Sequence, residues 1–140
     1  MYDTILIPTD GSDESKAAIE HGVALADRLG ATIHGVSIVP DGPHGAMKRD
    51  EMRADPEEEA QEAIQNVETT AKRHGVDVTS SIREGVPQDA VLEFADEISA
   101  DMIVIGTVGR TGIDHVLLGS VAEEIVRNSP VPVVTVRPEE

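Results

Sequence analysis

The sequence has 140 residues, a length served by one hydrophobic core, and its 27 acidic against 11 basic side chains give a formal charge of −16. That charge opposes general nucleic-acid binding, which needs cationic surface to displace counterions. With no cysteine there is no disulfide or thiol chemistry, and no apolar run nears the ~20 residues that span a bilayer.

Residues 2–8 read as a first strand, with Ile5, Leu6 and Ile7 forming a continuous apolar run and Pro8 marking the end. Thr9, Asp10, Gly11 and Ser12 make a turn, and Ser12 is placed to cap a helix running to Leu29, with Asp13 and Glu14 at its positive end. Ala18, Gly22, Leu25 and Leu29 share one face of that helix, and Gly30 supplies its stop. Residues 31–39 read as strand two. Residues 40–56 form a long polar stretch broken by Pro40, Gly42, Pro43, Gly45 and Pro56, expected to be a flexible loop within a single 1–140 domain. Met47, Lys48, Arg49, Met52 and Arg53 make it the one basic-leaning stretch, either a lid or partner contact or a plain linker.

A second helix starts near Pro56, buries Ala60, Ala63, Ile64, Val67 and Ala71, and stops at Gly75. Residues 76–83 are a strand polar enough for a sheet edge. Gly85, Val86 and Pro87 turn into a third helix with Val91, Phe94, Ala95 and Ile98 inward. Residues 101–106 are strand four, a glycine-rich segment follows, a fourth helix spans residues 119–128, and residues 131–137 close as strand five. With Tyr2 and Phe94 the only aromatics, the core rests on Val, Ile, Leu and Ala, a composition that suits parallel strands covered on both faces. Five alternations of strand and helix give an α/β fold with a parallel sheet. Ligands in such folds sit at the carboxyl ends of strands where the winding reverses, and strands one and four carry the two most glycine-marked turns.

The segment after strand four reads Gly106-Thr107-Val108-Gly109-Arg110-Thr111-Gly112, with Gly119-Ser120 opening the next helix. Glycine admits close backbone approach to an anion, and a helix start adds free N–H groups and a positive dipole end. This is a phosphate cradle, although glycine clusters also serve as turns. No Lys-Ser/Thr pair of a Walker A loop is present, nor the compact dinucleotide fingerprint. The Asp10 carboxylate can accept from ribose hydroxyls or help hold Mg²⁺ on phosphates; the competing reading is an Asx-turn with Ser12. Arg110 either contacts phosphate or balances the acidic surface. His34 either approaches the site or is a half-buried strand residue, and His115 either donates to a phosphate or is a solvent-facing loop residue.

Gly106-x-x-Gly109, nine residues, then Gly119-Ser120 resembles the ATP-binding signature of the universal stress protein family. Ile5 through Ser12 is similar to that family's first strand and turn, and Ser129 through Val136 to its last strand, so the likeness covers essentially the whole chain. The resemblance implies a sheet in order 3-2-1-4-5 sandwiched by four helices, of the Rossmann-like adenine nucleotide alpha hydrolase type. It implies a homodimer through strand five (Val133, Val134, Thr135, Val136), and ATP, or ADP or AMP, with Mg²⁺ as ligand. By position, Pro8, Thr9 and Asp10 would line the ribose and adenine side, and Val36 and Ile105 would flank the base. Gly106, Gly109, Gly119, Ser120 and Val121 would hold the phosphates beside Ala122, which stands where some relatives have a hydroxyl residue.

The expectation is a nucleotide-dependent regulator in stress response. A slow ATPase or self-phosphorylating enzyme is one alternative, although no catalytic base stands out; an interaction module that binds no nucleotide is another. The acidic residues are spread along the chain rather than gathered in a block, which favours adaptation to a salt-rich cytoplasm over a local acidic surface. Met1, Tyr2 and Asp3 supply no basic region, so no signal peptide is expected and a cytoplasmic location is.

Overall fold

The computed structural model describes residues 2–40, 55–107 and 119–138. Within them lie strands β1 (Thr4–Pro8), β2 (Thr32–Val39), β3 (Val78–Glu84), β4 (Met102–Gly106) and β5 (Val133–Val136). Helices α1 (Asp13–Leu29), α2 (Pro56–Arg73), α3 (Pro87–Glu97) and α4 (Ser120–Asn128) alternate with them. The sheet is parallel throughout and ordered β3-β2-β1-β4-β5, as the resemblance implies.

Successive strand side chains point to opposite faces, so a run buried on both faces belongs to a central strand. β1 shows this directly. Ile5 and Ile7 enter one core with Val23, Ile33, Val67 and Val104, whereas Leu6 enters the other with Val36, Val91, Phe94, Ile103 and Ile125. All three β1 side chains are fully buried, each contributing about 1.5–3 kcal/mol relative to exposure.

The local signals act as the sequence suggests. Ser12 Oγ accepts from the Ser15 N–H at 3.2 Å and caps α1, and Gly30 ends that helix at φ +70°. Pro56 opens α2 behind an Asp55 cap, whose Oδ1 accepts from the Glu57 N–H at 2.9 Å. Asp101 Oδ2 accepts from the N–H groups of Asp3 and Thr4 at 2.8 and 3.0 Å, tying the chain before β4 to the start of β1. Strand ends differ from expectation by one or two residues where Gly or Pro does not mark them.

One expected face is displaced. α1 buries Ser15, Ala18, Ile19, Gly22, Val23 and Ala26, while Leu25 is half-buried and Leu29 is 44% exposed. Gly22 sets the rotation: a Cβ there would lie 2.5 Å from Ile7 Cδ1, so the helix seats its bare backbone against β1. Leu29, on the last residue, falls outside that contact.

Candidate nucleotide-binding cleft

The sheet winds in opposite directions on either side of β1 and β4, and a cleft of about 480 Å³ opens there among the described residues. β1 brings Pro8, Thr9 and Asp10 to it; β4 brings Ile105 and Gly106, followed by Thr107; α4 brings Gly119, Ser120, Val121 and Ala122. Val36 lines it from β2, opposite Pro8 in the strand register. Gly109, Arg110 and His115 lie outside the described residues, as does most of the 40–56 stretch.

Sequence reasoning missed half of the wall. Ser37, Ile38, Val39 and Pro40 continue it along β2, Pro56, Glu59 and Ala60 come from the start of α2, and Pro87 and Val91 from α3. Strand and helix patterns identify these positions as core or boundary; only their meeting in space makes them a wall. Val36, Ile38, Val39, Val91 and Ile105 give it an apolar flank suited to a flat ring, the usual composition of a small-molecule site.

The Asx-turn weighed for Asp10 is present. Asp10 Oδ1 accepts from the Ser12 N–H at 2.9 Å and from the Ser15 hydroxyl at 2.7 Å. The Asp10 N–H donates back to Ser15 Oγ at 3.1 Å, and the Ser12 hydroxyl donates to Ser15 Oγ at 3.1 Å. This ring fixes the carboxylate at the cleft entrance, so the turn and a site role are compatible. Ser12 and Ser15 also line the cleft.

The other lip is the start of α4. Gly119 is the N-cap of α4, and among the described residues no side chain caps the first turn. The N–H groups and positive dipole end of such a helix start favour an anion beside Ser120. Gly106 has a separate task. A Cβ there would lie 2.7 Å from the Glu14 carbonyl carbon and oxygen, so this glycine first lets β4 close against α1.

Charge is unevenly met. Asp10, Glu14 and Glu59 line the cleft, and among its described lining residues there is no lysine, arginine or histidine. Among the described residues no three His, Cys, Asp or Glu side chains gather to hold a metal. A divalent ion would therefore need oxygen ligands from a bound phosphate in addition to Asp10, chemistry that suits Mg²⁺.

His34 is part of the fold and not of the cleft wall. Its Nδ1 is hydrogen-bonded with the Thr79 hydroxyl at 2.7 Å and its Nε2 with the Ser81 hydroxyl at 3.1 Å. The ring meets Phe94 edge-on at 4.8 Å, and the Arg83 guanidinium lies 4.7 Å over Phe94. Burial, then the Arg83 charge, pushes the His34 pKa below the ordinary histidine value.

Residues 1–137 match the model of the universal stress protein family. The chain belongs to this family. A universal stress protein of Methanocaldococcus jannaschii is 38% identical over 98% of this chain and 83% of its own length. Among solved structures of the family, one in complex with cAMP is 29% identical, with a TM-score of 0.76 over 99% of both chains. Another, from Archaeoglobus fulgidus in complex with dAMP, is 25% identical, with a TM-score of 0.73 over 96% of this chain and 98% of that one. Among the described residues of this family member, no helix is long and apolar enough to cross a membrane.

Proposed function

We propose that this universal stress protein binds ATP, or ADP or AMP, in the cleft between β1 and β4, and that occupancy shifts its conformation or choice of partner in a stress response. The observation that carries the reading is convergence. Every described residue named from sequence as nucleotide-binding lines one cleft, although those residues come from four separate stretches of chain. The cAMP and dAMP complexes of two relatives add support, since both ligands join adenine, a sugar and a phosphate.

In this reading the base lies against Val36 and Ile105, the sugar reaches Asp10, and the phosphates meet Gly106, Gly109, Gly119, Ser120 and Val121, with Ala122 beside them. Arg110 is the nearest candidate cation in sequence. Mg²⁺ carried by the phosphates and held by Asp10 offsets the carboxylates at the entrance. The protein acts in the cytoplasm as a homodimer through β5.

Titration calorimetry with ATP, ADP and AMP at high salt, with and without Mg²⁺, tests this. Binding of at least one nucleotide, strengthened by Mg²⁺ for ATP and weakened in Asp10→Ala, is expected. No heat from any of them would sink the reading.

A further inference from the structure

One polar side chain of the cleft stands apart from the others. Thr107 follows β4 directly, lines the cleft and is only 6% exposed. Its Oγ1 is buried and has no hydrogen-bond partner, the sole such side-chain atom among the described residues. Three other cleft hydroxyls are engaged: Ser12 and Ser15 hold Asp10 and cap α1, and Thr9 Oγ1 accepts from the Gly11 N–H at 3.3 Å.

The backbone of Thr107 is fully used. Its N–H donates to the Val136 carbonyl of β5 at 3.0 Å, and its carbonyl accepts from the Gly119 N–H at the start of α4. The residue is therefore pinned between the last strand and the start of α4, with only its side chain left over. Buried polar groups are almost always paired, and an unpaired hydroxyl costs free energy that a valine of the same shape would not. Rotation about χ1 redirects the hydroxyl with no backbone movement.

We propose that the Thr107 hydroxyl is a phosphate-binding group, unpaired in the free protein and satisfied by an oxygen of the nucleotide phosphate. Its position between Gly106 and the start of α4 puts it where the helix end favours an anion. The hydroxyl thus reads the phosphate and not the nucleoside. This rests on the nucleotide reading above and adds a residue and a selectivity to it.

The test compares wild type, Thr107→Val and Thr107→Ser, with AMP and adenosine as calorimetric probes and a thermal melt of each free protein. The valine variant is expected to lose AMP affinity by on the order of tenfold or more, the scale of a hydrogen bond to a charged group. It keeps its adenosine affinity, the serine variant keeps most of its AMP affinity, and the free valine variant melts no lower than wild type. If wild type binds AMP and the valine variant binds it equally well, the phosphate role falls and the nucleotide reading stands. Equal loss of AMP and adenosine, or a clearly lower melt of the free valine variant, overturns the role too, the latter by exposing a structural partner for the hydroxyl. Failure of wild type to bind either probe overturns the phosphate role, and the nucleotide reading falls with it only if ATP and ADP give no heat either.

Discussion

Replacing Gly106 with alanine tests whether the first glycine of the signature is a packing residue. The added Cβ would sit 2.7 Å from the carbonyl carbon and oxygen of Glu14 and 2.9 Å from its Cβ. Carbon atoms in good contact are about 3.5–4.0 Å apart, so relief takes roughly 1 Å of movement. Two of the three crowded atoms are backbone, so no side chain can simply swing away. The end of β4 or the first turn of α1 must shift, and that turn carries the Ser12 cap and the Ser15 bond to Asp10. Overpacking of this kind costs about 1–3 kcal/mol, or a fall in melting temperature on the order of 3–10 °C for a chain this size. Urea titration measures it, with Gly30→Ala as the control. At Gly30 a Cβ would meet nothing within 4 Å, and only the left-handed backbone at φ +70° is strained, a cost of about 1 kcal/mol. A Gly106→Ala protein as stable as wild type, or with an unfolding midpoint above that of the control, would refute the packing role.

Acidification should weaken the fold through His34. Its folded pKa lies below the unfolded value, so the unfolded chain takes up the proton first, and stability present above about pH 6.5 is lost as pH falls toward the folded pKa. Chemical melts between pH 8 and 5 should show this loss, and His34→Gln should reduce the slope; an unchanged slope would remove His34 as its source. Salt should act in the opposite sense. With a charge of −16, melting temperature is expected to rise from dilute buffer to molar salt, and undiminished stability in dilute buffer would rule out salt adaptation. Light scattering across the same salt series reads the proposed dimer, and a monomer at every salt concentration would overturn it.

Much of this architecture is legible in the chain because its punctuation is chemical. Pro8, Ser12, Gly30 and Pro56 each act where a missing donor, a capping oxygen or a positive φ requires them. The continuous apolar runs at Ile5 and Ile103 announce strands covered on both faces. What stays hidden depends on distant partners. The rotation of α1 follows from Gly22 meeting Ile7, a contact across layers, so Leu25 and Leu29 lie off the buried face that their spacing suggests. Gly106 reads as a phosphate-cradle glycine until Glu14 is seen against it. Thr107 passes as filler in a glycine pattern, because lack of a partner is a property of space and leaves no mark on sequence.

The two borders of the sheet differ in kind. β3 ends it on one side with Thr79, Arg83 and Glu84 exposed, whereas β5 ends it on the other with Val133 and Val134 half-covered and Val136 buried. Two copies meeting through β5 about a two-fold axis would use up the apolar border of each and leave polar, charged borders at both extremities. Such an assembly is closed: it stops at two, where a sheet with like borders could grow into a filament.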